Sequence, residues 1–159
     1  MLRVLVFSSI FALASCHLCM MFPKQRGTMK DLNQAGTADC FHITGPCGGL
    51  PQERPIQALK SNEHLSLTLQ KNLNHFNASG PGYFAVGWGV PNGNDAYKEM
   101  QFEPLFHIED FASASPFIID APVQLPNATF PHIVIQAVYV TNNSNAPKEF
   151  FQCADVTLF

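Results

Sequence analysis

Histidine is the residue type in this chain that points most directly to chemistry, and one of the six histidines stands at a special position. His17 follows Ala14-Ser15-Cys16, in which small residues precede a cleavage point of the signal-peptidase type. A chain cut there would offer a metal two nitrogens of His17, the free α-amine and the ring Nδ1. With a second histidine opposite, the three nitrogens form a T-shaped set that suits Cu(II) in a square-planar frame. The sequence therefore predicts a copper site at His17, unless this histidine is an accident of the cut.

The first sixteen residues have the organisation of a secretory signal peptide. A short basic start, Met1-Leu2-Arg3, precedes an apolar run over residues 4–14 that is too short to span a bilayer. We therefore predict a signal peptide over 1–16 and one secreted, extracellular domain over 17–159. Leu13-Ala14-Ser15-Cys16 also has the shape of a bacterial lipoprotein processing site. In that case Cys16 would be acylated and His17 would keep an ordinary amide nitrogen.

Four cysteines remain after the predicted cut, which is an even number suited to disulfides in an oxidising compartment. Several pairings are open to four cysteines, and the sequence does not choose among them. A short local loop favours Cys40–Cys47, which leaves Cys19–Cys153 to join the two ends of the chain.

Three N-glycosylation sequons agree with secretion, and they begin at Asn77, Asn127 and Asn142. The sequence therefore predicts a glycoprotein.

The charge of the mature chain excludes one class of partner. Loss of Arg3 leaves 8 Lys and Arg against 12 Asp and Glu, a net charge of 8 − 12 = −4 with neutral histidines. Because no basic stripe is present, nucleic acid is not expected to bind. No later apolar run reaches transmembrane length, so we expect a soluble product.

Short, interrupted alternation of apolar residues, with many Pro, Gly and Asn between the runs, predicts an all-β sandwich. The run over 133–140 is almost continuously apolar, so it should be a central strand that is buried on both faces. The segment over 23–60 reads as a long irregular connection, and such loops usually carry function or are held by disulfides. The predicted strands cover residues 18–22, 64–69, 83–90, 117–119, 133–140 and 150–158.

Three segments resemble the secreted copper acquisition factor family, which is related to the lytic polysaccharide monooxygenases. The chain from His17 contains Pro23-Lys24-Gln25-Arg26-Gly27, similar to the Pro-x-x-Arg-Gly start of mature family members. The other two are Gly45-Pro46-Cys47-Gly48-Gly49 and Phe150-Phe151-Gln152-Cys153-Ala154-Asp155-Val156. The resemblance implies an immunoglobulin/fibronectin-like β-sandwich whose shared metal site is a histidine brace. It covers both ends of the mature chain better than the middle.

The resemblance also implies roles for individual residues. His17 corresponds to the N-terminal ligand, and His75, shortly before Gly80-Pro81-Gly82-Tyr83-Phe84, resembles the second; His64 is the reserve. Ordinary surface or core roles are expected for His42, His107 and His132.

Phe150 resembles the axial aromatic position of the monooxygenases, although a strand residue of this kind is more often simply core. An aspartate is expected to complete the site in the copper acquisition branch. Asp120 is the candidate, with Asp95 and Asp110 as alternatives, whereas Asp155 is expected to form structural hydrogen bonds.

Three functions follow from these observations. The first is copper binding without catalysis, in acquisition or homeostasis, with a copper transporter as a candidate partner. The second is copper-dependent oxidation of chitin or a related glycan, for which the sequence offers no evident surface platform of aromatic residues; Trp88 is the only tryptophan and lies in a predicted strand. The third is a secreted, non-catalytic β-sandwich that binds proteins, with His17 incidental.

Overall fold

The computed structural model describes residues 17–91 and 100–159, and both stretches belong to a β-sandwich. The prediction of an all-β fold is confirmed, because the only helical segments in these stretches are short 3-10 turns at Ala38–Cys40 and Cys47–Gly49. Within the described residues, no helix has the length and apolar character needed to cross a membrane. The strands are β1 (His17–Phe22), β2 (Gln57–Leu59), β3 (His64–Leu73), β4 (Tyr83–Gly89), β5 (Glu103–Glu109), β6 (Phe117–Gln124), β7 (Phe130–Val140) and β8 (Glu149–Leu158).

The strands form two sheets that face each other. One has the order β1-β3-β6 and the other β2-β8-β7-β4-β5. All described pairs are antiparallel except β2 with β8. Strand β7 lies in the middle of the larger sheet and almost all of its residues from 133 to 140 are buried, so the predicted central strand is confirmed. Alternate residues of both sheets meet in the core, including Leu67, Leu69, Ile119, Ile135 and Phe150.

Two strands were not predicted, and three extend well beyond their predicted bounds: β3 continues past residue 69, β7 begins before residue 133, and β6 is the third. Strand β2 has only three residues, and β5 carries Pro104 and is largely exposed, so neither has clear apolar alternation. Strand β6 continues to Gln124 rather than ending at residue 119, since Ala121 and Val123 face inward while Asp120 and Pro122 face outward. Strand β6 lies at the edge of its sheet, where a proline such as Pro122, which has no amide hydrogen to donate, is tolerated.

The predicted disulfide pairing is wrong. The structure joins Cys19 to Cys40 and Cys47 to Cys153, with Cα–Cα distances of 4.7 and 4.9 Å. Cys40 and Cys47 do not pair because the first packs on β1 and the second on β8. Two disulfides fit an oxidising compartment such as the extracellular space.

The long connection after β1 is held by these disulfides and by a buried ion pair. Both Cys40 and Cys47 lie in this connection, so the predicted disulfide-held loop is confirmed. Arg26 places its Nε 2.5 Å from Oδ2 of Asp155 and its Nη2 2.8 Å from Oδ1, and the side chains are 0% and 2% exposed. The Arg26 amide also donates to the Cys153 carbonyl at 2.7 Å.

Candidate metal centre

The register of β1 on β3 brings His17 and His75 to the same end of the smaller sheet. His17 lies opposite Leu73, and His75 follows two residues later, immediately beyond the end of β3. Both histidines are almost fully buried, at 2% and 6% exposure. In the full chain the His17 nitrogen is part of a peptide bond, so cleavage after Cys16 would be needed to make it an amine.

A bulge next to His17 has a specific consequence. The partners of His17 and Leu18 are Leu73 and Lys71, so Asn72 is the extra residue on β3. The Asn72 Oδ1 accepts hydrogen bonds from the amides of Gly36 and Thr37 at 2.6 and 3.0 Å. These bonds hold the long connection after β1 close to His17. A Cβ built on Gly36 would be 3.8 Å from the His17 Cε1.

The aromatic ring next to His17 is Phe41, which the sequence analysis did not select. The ring centroids of Phe41 and His17 are 5.2 Å apart. Phe150 lies behind Phe41, at 6.0 Å, and is fully buried in the core against Tyr139. Phe150 thus lies in the core behind Phe41, which contacts the candidate ligand His17, and an axial role for Phe150 stays a prediction. Only its position directly after Cys40 could have drawn attention to Phe41 in the sequence.

The segment that carries His75 is fastened to a second loop by asparagine side chains. The β3–β4 loop comprises residues 74–82, and the β7–β8 loop comprises residues 141–148. Asn143 of the second loop donates from Nδ2 to the His75 carbonyl at 3.3 Å, and Asn77 donates to the Asn142 carbonyl at 2.9 Å. The His75 backbone is thus held from across the sandwich.

The three aspartates considered as a further ligand have different positions. Asp120 is exposed on β6 opposite Thr68, which is about 15 Å along β3 from the row of His17, so the structure does not bring Asp120 to the histidines. Asp95 lies outside the described residues. Asp110 pairs with Lys71, whose backbone partner on β1 is Leu18, the residue after His17.

Asp110 is already engaged by three hydrogen-bond donors. Its Oδ1 is 2.5 Å from the Lys71 Nζ and accepts the Phe111 amide at 2.8 Å, while its Oδ2 accepts the Tyr139 hydroxyl at 2.7 Å. The Lys71 and Asp110 side chains are 0% and 1% exposed. This buried network joins β3 of the smaller sheet to β7 of the larger sheet.

The remaining histidines lie elsewhere. His64 is exposed at the start of β3, about 30 Å along the strand from Leu73, so it cannot share a metal with His17. His107 is exposed with its ring 4.9 Å from that of Tyr83, and burial lowers the pKa of the half-buried His42. His132 places Nε2 2.8 Å from Oδ1 of Asp155, which has the structural role expected of it.

The donor set fits a copper ion of the brace type. In the described part of the chain, no three His, Cys, Asp or Glu side chains gather in a metal-binding arrangement. A brace needs only two histidine side chains, because its third nitrogen is the terminal amine. His17 and His75, neutral nitrogen ligands at one end of one sheet, meet this requirement once the chain is cut.

The segments that resemble copper acquisition factors meet at β8 rather than at the histidines. Arg26 of the first segment pairs with Asp155, and Cys47 of the second is bonded to Cys153. These residues join the long connection to the core. Their role in this structure is to fix the start and the middle of the long connection to β8.

Comparison with solved structures identifies the same architecture elsewhere. The chain is similar to an AA10 lytic polysaccharide monooxygenase from Streptomyces lividans at 19% identity and a TM-score of 0.62, over 89% of this chain and 99% of that one. It is also similar to an AA15 lytic polysaccharide monooxygenase from Thermobia domestica in the Cu(I) state, at 15% identity and a TM-score of 0.59, over 89% of this chain and 98% of that one. A chitin binding domain from Burkholderia pseudomallei is similar at 13% identity and a TM-score of 0.52, over 91% of this chain and 100% of that one.

No protein-family model and no curated protein matches the chain. At these identities the structural likeness concerns the fold alone, and it extends over nearly the whole length of the three structures. The chain has the β-sandwich fold of the lytic polysaccharide monooxygenases.

Proposed function

We propose that residues 17–159 form an extracellular copper protein that binds one copper ion through the α-amine and Nδ1 of His17 and the imidazole of His75. The observation that carries this proposal is the register of β1 on β3, which brings these two histidines to one end of the sandwich. The fold comparisons support it, because one of the similar structures is described in the Cu(I) state. Cleavage after Cys16 is part of the proposal.

The surrounding residues would orient the ligands and limit access to the metal. Asn72 holds Gly36 and Thr37 close to His17, and Asn143 holds the backbone of His75. Phe41 contributes an apolar ring next to His17, so water is excluded from that side. The copper, when bound, supplies a centre that cycles between Cu(II) and Cu(I), and imidazole tolerates both states.

We propose copper capture and delivery, as in acquisition or homeostasis, as the use of this site, with a copper transporter as a candidate partner. Asp110, which pairs with Lys71 opposite the residue after His17, is the candidate for a carboxylate that would fill the position that oxygen chemistry needs. To reach copper, Asp110 would have to exchange the Lys71 ammonium for the metal. The likeness to the copper acquisition factors supports the same use through the segments that start at Pro23 and Gly45.

Copper-dependent oxidation of chitin or a related glycan is the second candidate, and the fold comparisons favour it over copper acquisition. Two of the similar structures are described as lytic polysaccharide monooxygenases and a third as a chitin binding domain. Against it, Trp88 packs on Phe130 and Tyr139 is fully buried, while Tyr83 is the described tyrosine that reaches the surface. A non-catalytic glycan-binding module is the third candidate, favoured by the chitin binding domain alone.

The test of the copper site is electron paramagnetic resonance of the secreted protein without an N-terminal tag, loaded with one equivalent of Cu(II). We expect an axial spectrum with nitrogen hyperfine structure that is lost in a variant with one alanine inserted before His17 and in His75→Ala. His64→Ala is the matched control and should keep the spectrum. Identical spectra from the native and the extended chain would overturn the brace.

A second measurement separates the uses of copper. The loaded protein is incubated with chitin, ascorbate and hydrogen peroxide, and soluble products are analysed by mass spectrometry. Oxidised oligosaccharides that disappear in His75→Ala would establish the enzyme. Their absence, together with rapid transfer of copper to a competing chelator, would support capture and delivery.

A further inference from the structure

The three N-glycosylation sequons lie at opposite ends of the sandwich, and two of them lie at the end that carries the candidate metal centre. Asn127 is exposed in the connection between β6 and β7, at the end where β3 begins. Asn77 and Asn142 are in the β3–β4 and β7–β8 loops, at the end where His17 and His75 lie. A glycan on either of these loops would therefore stand next to the metal.

Of the two loop sequons, Asn142 is the more accessible. Asn142 and Ser144 are both exposed, whereas Asn77 is half-buried and its amide donates into the contact with the neighbouring loop at 2.9 Å. The Asn142 Nδ2 donates to the Pro81 carbonyl at 2.8 Å, which fixes the side chain at the surface of the loop pair. An amide nitrogen carries two hydrogens, so this bond leaves one hydrogen to be replaced by a sugar.

The distance from this amide to the metal centre is short on the scale of a glycan. The residue after Asn142 donates to the His75 carbonyl at 3.3 Å, so the two loops are in direct contact at His75. Because an N-linked glycan is bulky and solvated, it would occupy space above the loops. A flat, insoluble surface could then not approach the histidines, while ions and small molecules could.

We propose that Asn142 carries an N-linked glycan at the rim of the metal centre, and that this glycan keeps large flat surfaces such as crystalline polysaccharide away from the copper while admitting small soluble ligands. Transfer from a lipid-linked oligosaccharide diphosphate forms the bond between Asn142 Nδ2 and sugar C1. It breaks the bond from C1 to the diphosphate oxygen, and the amide loses a proton. The part that concerns copper rests on the proposed function.

The test uses three forms of the chain secreted from a eukaryotic host: the native protein and two variants. Ser144→Ala removes the sequon but keeps the Asn142 amide and its bond to Pro81, which Asn142→Gln would disturb. Thr129→Ala removes the sequon at the far end and is the matched control. Peptide mapping by mass spectrometry gives the occupancy of each asparagine, and copper is then extracted either by a soluble chelator or by chelating beads.

We expect Asn142 to be occupied in the native protein and copper stoichiometry to be the same in all three forms. Extraction by beads should be several-fold faster for Ser144→Ala than for the native protein and for Thr129→Ala, while extraction by the soluble chelator should not differ. An unoccupied Asn142, or equal rates on beads, would overturn the inference. Occupancy is read without copper, so a glycosylated chain that binds no copper would instead refute the proposed function.

Discussion

Among single residues, Lys71 has an environment in which a substitution should strongly lower the free energy of unfolding. Its ammonium group is fully buried, pairs with Asp110 and lies 5.2 Å from the centroid of the Phe111 ring. A buried carboxylate that loses its partner is left uncompensated, which costs about 3–5 kcal/mol. Lys71→Met should therefore lower the free energy of unfolding of the metal-free protein by that amount, as measured by urea titration.

Two further variants make this prediction specific to the ion pair. Lys148→Met changes a lysine at an exposed position and should leave the unfolding free energy nearly unchanged. The double variant Lys71→Met/Asp110→Asn should recover part of the loss, because no unpaired charge then remains in the core. If Lys71→Met costs no more than Lys148→Met, the pair does not stabilise the fold.

At the residue scale the structure bears out the structural role expected of Asp155, which bonds to Arg26 and His132. The cleavage before His17 and its role as a ligand stay predictions. Phe41 could not be selected in advance, because its proximity to His17 depends on a contact between distant segments. The pairing of Cys40 with Cys19 rather than Cys47 has the same origin.

Among the elements, the start of β4 depends on a close approach between two backbones. A Cβ built on Gly82 would be 1.8 Å from the Val140 carbonyl oxygen, whereas one on Gly80 would have its nearest neighbour at 4.0 Å. Because backbone cannot move aside as a side chain can, Gly82→Ala should be destabilising by more than the ~1–3 kcal/mol of ordinary overpacking. Thermal unfolding of Gly82→Ala and of the control Gly80→Ala checks this, and equal melting temperatures would contradict it.

The two disulfides should differ in how much each contributes to the free energy of unfolding. Cys47–Cys153 spans a sequence separation of 106 residues and Cys19–Cys40 one of 21. In the loop-entropy description, a cross-link stabilises more when it closes a longer loop, and this difference is worth about 1.4 kcal/mol. Replacing Cys47 and Cys153 together by alanine should thus lower the unfolding free energy more than replacing Cys19 and Cys40 together.

Peptide mapping without reduction provides the check on the pairing itself. A peptide that joins Cys47 to Cys153 is expected, and one that joins Cys40 to Cys47 would show that the pairing is wrong.

The positions of the strands were easier to predict than the disulfide pairing, since apolar alternation is local. Strands β2 and β5 lack alternation and take their conformation from neighbouring strands.

For the molecule as a whole, the long connection makes stability depend on pH through His42. This side chain is half-buried, and burial lowers its pKa below the ordinary 6.5, against the opposite effect of the nearby Asp39. The unfolded chain therefore takes up the proton first as the pH falls. The contribution of His42 to the free energy of unfolding is thus present above its ordinary pKa and is lost below it. Hydrogen bonds from the Lys30 amide and the Thr28 hydroxyl lower the pKa of Asp39, whose contribution is lost only below 3.8.

The unfolding free energy of the metal-free protein should decrease as the pH falls through 6.5, and His42→Gln should make this decrease smaller. His107→Gln is the control, since this exposed histidine lies on β5, away from the long connection. Urea titrations at several pH values from neutral to mildly acidic give the slopes. If the slope of His42→Gln equals that of the native protein, while His107→Gln reduces it, the dependence arises at another histidine and the long connection is not its source.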